Sequence, residues 1–68
     1  MSQASQSLIR ITEVRRRTGF GKAWIYRLMS QGKFPASVKI GSRSIAFVES
    51  EIDEWINQRI EESRKEVA

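Results

Sequence analysis

The stretch TEVRRRTGFGKAWIYRLMSQG, residues 12–32, decides the fold. It divides at Gly19-Phe20-Gly21 into two helix-forming pieces. Thr12 reads as an N-cap, and Glu13 suits the positive end of a helix dipole. The spacing predicts a short helix over 13–18, stopped at Gly19, with Arg15, Arg16 and Arg17 near its negative end. A helix this short is marginal alone and must be held by packing. A second helix is predicted over 22–31, between Gly21 and Gly32. Its faces follow from about 100° per residue, which places Trp24, Ile25, Leu28 and Met29 on one core-facing arc. Ala23, Tyr26, Arg27 and Ser30 then lie opposite. Trp24 sits at the edge of the arc, with core packing and an outward, ligand-facing role both open.

Working outward, Leu8 to Thr12 alternates in a way that suggests a short extended lead-in, and residues 1–7 read as a disordered, Ser/Gln-rich tail. Downstream, Pro35 keeps the second helix from continuing. Val38, Ile40, Ile45 and Phe47 are period-two apolar positions on either side of Gly41-Ser42-Arg43-Ser44, a β-hairpin pattern whose loop length the spacing leaves open at two or four residues. Ser50 and Asp53 resemble a weakened capping box opening a last helix. Ile52, Trp55, Ile56, Arg59 and Ile60 follow helical spacing, predicting one buried face to about Ile60. The domain is expected over 8–62, with residues 63–68 fraying.

Composition bounds what such a chain can do. Sixty-eight residues without Cys or His allow one small domain, with no disulfide and no Cys/His zinc site. The same absence excludes Ser-His-Asp and Cys-His catalysis, and no enzyme activity or cofactor is expected. The longest apolar run, Ile45 to Val48, is far too short to span a bilayer, and no secretory segment is visible. A soluble cytoplasmic protein is expected. The net charge of +4 hides a division. Residues 1–48 hold nine bases and a single acid, Glu13, whereas residues 49–68 hold three bases and seven acids. One part suits a polyanion and the other must face away from it.

The order is short helix, tight turn, second helix, hairpin, third helix. That is a winged helix-turn-helix: mainly α with a small β-hairpin. The residues carrying it are Leu8-Ile9-Arg10, Glu13-Val14, Thr18-Gly19-Phe20, Ile25-Tyr26-Arg27-Leu28, Gly32-Lys33-Phe34-Pro35, Val38-Lys39-Ile40-Gly41, Arg43, Glu49-Ser50-Glu51-Ile52 and Trp55-Ile56. In this order they resemble AlpA-type phage regulatory proteins, in the excisionase and MerR-like winged-helix group. The resemblance implies a DNA-binding transcriptional regulator of phage or prophage genes, such as those for integrase or excision. It also implies double-stranded DNA as partner, with an integrase or recombinase as a further one. Alternatives are an excisionase-like factor that bends DNA for recombination, or a protein-interaction module such as an antitoxin or phage adaptor. Members usually carry Ser or Thr where this chain has Gly21, Ala23 and Trp24, so the target sequence does not transfer.

Residue types name the candidate contacts. Arg27, mid-way along the exposed face, can donate two hydrogen bonds to guanine or one to phosphate. Tyr26 can reach a phosphate or pack on the sugar backbone. Lys22 lies at the helix start, near phosphate if that end docks. Ala23 can touch a thymine methyl, and Ser30 completes the face. On the hairpin, Lys39 suits the backbone and Arg43, at the tip, the minor groove. Three successive residues cannot share one face, so the arginine run is expected to give one or two phosphate contacts, with Arg16 the candidate. One recognition helix reads few base pairs, so a homodimer or cooperative assembly on DNA is expected.

Overall fold

A computed structural model describes residues 6–67. The expected disorder of the N-terminal tail concerns mainly residues outside the described ones. The elements run β1 (Leu8–Ile9), α1 (Ile11–Thr18), α2 (Lys22–Ser30), β2 (Val38–Lys39), β3 (Ile45–Val48) and α3 (Glu49–Val67). This is a winged helix-turn-helix, mainly helical with a small antiparallel hairpin.

The lead-in does more than extend. Strand β1 pairs antiparallel with β3, Leu8 opposite Val48 and Ile9 opposite Phe47, while β2 pairs with the other edge of β3. The sheet order is therefore β1-β3-β2. Because β3 is central, two adjacent residues, Ala46 and Phe47, are both fully buried. The hairpin register continues to Ile40, whose N–H donates to the Ser44 carbonyl at 2.9 Å. Three residues, Gly41-Ser42-Arg43, then form its loop, a length between the two that the spacing left open.

Helix α1 starts earlier than the cap chemistry implied. Its N-cap is Arg10, in extended backbone and with no side-chain cap, so Thr12 lies within the first turn. Ile11 packs against the core, and that burial outweighs the cap preference of Thr12. Gly19 closes the helix at φ 78°, its N–H donating to the Arg15 carbonyl at 2.8 Å. The Thr18 hydroxyl secures the bend, donating to the Val14 carbonyl and accepting from the Phe20 N–H. Helix α2 ends in a Schellman motif. Gly32, at φ 72°, donates to the Met29 carbonyl, and the Lys33 N–H donates to that of Leu28.

Helix α3 begins at Glu49, directly after β3, and Ser50 is inside it rather than capping it. The Glu49 N–H is already satisfied by the Ser7 carbonyl at 2.8 Å, so the residue just before β1 supplies what a side-chain cap would. The helix runs to Val67, but burial of its apolar stripe ends sooner than the spacing implied. Ile52 is fully buried, Trp55 and Ile56 are half-buried, and Ile60 is 41% exposed.

The core takes one large, fully buried side chain from each of four elements: Val14, Ile25, Phe47 and Ile52. Phe34, from the connector after α2, joins them edge-on to Phe47. The connector is anchored again by Trp55, whose Nε1–H donates to the Lys33 carbonyl at 2.9 Å. Among the described residues no helix is long and apolar enough to cross a membrane.

Candidate nucleic-acid interface

The exposed side of α2 is built by what its other side must bury. Ile25 is wholly enclosed and Leu28 and Met29 are half-buried, which turns Lys22, Ala23, Tyr26, Arg27 and Ser30 outward. All five are exposed, as helical spacing requires. The helix contains no acidic residue. Gly21, its N-cap, offers no side-chain acceptor, so the first-turn N–H groups keep their hydrogen-bonding capacity for an external anion. Ser30 is less free, because its hydroxyl donates to the Arg27 carbonyl at 2.8 Å and retains only acceptor capacity for a partner.

Trp24 is not the core residue that its place on the arc suggested. It is 46% exposed, edge-on to Phe20 with ring centroids 6.4 Å apart. Four large side chains cannot all enter a core this small. Ile25 occupies the centre and Phe20 fills the space beside Trp55, which leaves Trp24 at the rim. The Arg27 guanidinium lies over its ring at cation–π range, 5.8 Å from the centroid.

Lys39 and Arg43, on the hairpin, are exposed, and among the described residues no ion pair engages them, Lys22 or Arg27. The arginine run of α1 is divided quite differently. Arg17 donates to Glu13 at 2.8 Å, Glu49 at 2.7 Å and Asp53 at 2.9 Å, fastening α1 to the start of α3. Three carboxylates around one guanidinium raise its pKa, Glu13 contributing most. Arg16 chelates the same Glu13, through Nε at 2.9 Å and through Nη2. Hydrogen bonds from Arg16 and then Arg17 hold the Glu13 carboxyl at about 2, well below the usual carboxylate range. Arg16 thus remains exposed but partnered. The Glu13–Arg17 half of the hub was legible from its i,i+4 spacing; the α3 half required the tertiary fold.

The electrostatic division seen in the chain is now spatial in part. Glu49 and Asp53 are occupied by Arg17, and Arg59 is occupied by Glu62 and by the face of Trp55. Among the described residues Lys22 and Arg27 of α2 and Lys39 and Arg43 of the hairpin take part in no ion pair, and neither do Arg10, Arg15, Lys33, Arg64 and Lys65. Against this geometry the comparisons are decisive: residues 7–60 match the family described as Prophage CP4-57 regulatory protein (AlpA).

The chain belongs to the AlpA family. Two relatives place it further. A protein of Enterobacteria phage P4, ORF88, is 33% identical over 55 residues, covering 81% of this chain and 62% of the phage protein. The DNA-binding transcriptional activator AlpA of Escherichia coli K12 is 30% identical over 64 residues, covering 85% of this chain and 91% of that protein. This chain thus spans less than two thirds of the phage P4 relative but nearly all of the Escherichia coli one.

Proposed function

We propose that this AlpA-family chain is a sequence-specific, double-stranded DNA-binding transcriptional regulator of phage or prophage genes, acting in the cytoplasm and without catalysis. The observation that carries the reading is the acid-free outer face of α2, with Arg27 unpaired among the described residues, on a helix-turn-helix scaffold. The name of the Escherichia coli relative supports it.

In this reading α2 enters the major groove, where a helix of nine residues, roughly 14 Å long, fits a groove about 12 Å wide. Arg27 presents its fork to guanine O6 and N7. Lys22 and the first-turn N–H groups of α2 meet a phosphate, Tyr26 packs against the backbone, and Ala23 and Ser30 line the base edges. The hairpin acts as a wing, Lys39 on phosphate and Arg43 at the adjacent groove. Arg16 contributes at the periphery, where a phosphate exchanges for Glu13. A second copy, or a recombinase, binds alongside, because one short helix reads too few base pairs to find a site unaided.

The test separates reading from anchoring. On a duplex selected from a random pool, Arg27→Ala lowers preference for the selected sequence over a scrambled one, by about 1–3 kcal/mol of discrimination. Lys39→Ala weakens both duplexes alike. Equal losses on both duplexes for the two variants would overturn the assignment.

A further inference from the structure

One exposed aromatic has no role in the core. The Trp24 ring lies at the end of a chain of edge-on contacts running inward through Phe20, Trp55, Phe34 and Phe47, with centroid separations of 6.4, 6.1, 4.9 and 6.0 Å. Its inner neighbours are half-buried or buried, whereas Trp24 itself is 46% exposed. It is thus an exposed ledge braced from the core. On that ledge rests the Arg27 guanidinium, one helical turn away at i,i+3.

A cation–π contact has a consequence that an ion pair would not have. A guanidinium held near a ring face takes up no carboxylate acceptor, so its N–H donors are left for another partner. The contrast within the protein is direct. Arg16, Arg17 and Arg59 spend their donors on carboxylates, while no side-chain partner takes those of Arg27 among the described residues. The same contact restrains a long side chain that would otherwise sample many rotamers, so less freedom is lost when the fork meets its acceptors.

We infer that Trp24 is a positioning residue for base recognition: its indole, braced by Phe20, holds the Arg27 guanidinium with its donors free for a guanine edge. The inference rests on the role given to Arg27 under the proposed function. It assigns Trp24 a part in specificity without requiring it to touch DNA.

The test compares Trp24→Phe, which keeps a π face, with Trp24→Leu, which keeps apolar bulk alone, on selected and scrambled duplexes. Each is also combined with Arg27→Ala, and thermal melting confirms that the variants fold. Trp24→Leu should lower the selected-to-scrambled affinity ratio about two- to five-fold, the range of an exposed cation–π contact. Trp24→Phe should retain most of the ratio. In the Arg27→Ala background neither substitution should change it further. The same loss with and without Arg27, an equal loss on both duplexes, or a full ratio in Trp24→Leu would each overturn the inference. Should Arg27→Ala alone leave the ratio intact, the proposed role of Arg27 falls and the inference falls with it. Should Trp24→Leu not fold, Trp24→Met, likewise apolar and without a π face, takes its place with the same expected loss and the same overturning results.

Discussion

Salt dependence tests the division between free and committed cations with numbers that the structure supplies. The sequence holds twelve Lys and Arg residues, but geometry removes several from service. Arg17 is bound by three carboxylates, Arg59 by Glu62 and Trp55, and Arg16 by Glu13. An arginine that exchanges a carboxylate for a phosphate brings little net positive charge to the duplex. Nine of the twelve lie outside those pairs. The proposed docking brings three of them against the duplex backbone, Lys22, Lys39 and, at the groove edge, Arg43, each counted as one neutralised phosphate. Each neutralised phosphate contributes about −0.9 to the slope of log affinity against log salt, so three give about −2.7. Between roughly 50 and 200 mM salt the affinity should fall about 40-fold. Lys39→Ala should reduce the slope to about −1.8, and the loss over the same range to about 12-fold. Fluorescence anisotropy of a labelled duplex across a salt series measures both. A slope near zero would refute phosphate anchoring. An unchanged slope in Lys39→Ala would refute the wing contact, and a slope steeper than about −5 would show that more cations than these three neutralise phosphate.

Three further outcomes follow from the fold itself. Gly19→Ala should cost about 1–2 kcal/mol by forcing a side chain into left-handed backbone, although its Cβ would meet nothing within 4 Å; a denaturation curve unchanged from wild type would contradict this. Glu13 is held at about 2 in the folded chain against an ordinary 4.5, so its stabilisation is fully present above about pH 4.5 and is lost as pH falls toward 2. Thermal melts from pH 6 to 2 should therefore show a steeper acid-side loss for wild type than for Glu13→Gln, and parallel curves would exclude the Arg16–Glu13–Arg17 network as the cause. Trp55→Phe removes the hydrogen bond to the Lys33 carbonyl and should cost about 1 kcal/mol in urea unfolding, through loosening of the connector that carries Phe34.

Periodicity and turn chemistry made the helix order, the Gly19-Phe20-Gly21 turn and the hairpin legible, because each leaves a local signature. What stayed hidden depends on contacts between distant residues. The start of α3 could not be read from Ser50, since the acceptor for the Glu49 N–H is a carbonyl at Ser7. The start of α1 followed Ile11 burial rather than Thr12 capping. Phe34 lies in a stretch with every mark of a connector, and only the aromatic stack with Trp55 and Phe47 draws it inside. The outward face of α2 was legible because burial of Ile25 forces it. Trp24 was not, because a helical arc says which direction a residue points and not how much room the core has. The run Arg15-Arg16-Arg17 reads as one basic cluster; the fold makes Arg17 a clamp between helices and leaves Arg16 tied to Glu13.

The central claim is that α2 lies in the major groove with Arg27 on a guanine edge, and methylation of guanine N7 in the bound duplex tests it most directly. N7 is exposed only in the major groove, and it is an acceptor that Arg27 would occupy. At least one guanine in the selected site should be protected by the wild-type chain and become reactive again with Arg27→Ala at saturating protein. Guanines that stay fully reactive in the wild-type complex, with protection confined to adenine N3 in the minor groove, would contradict it.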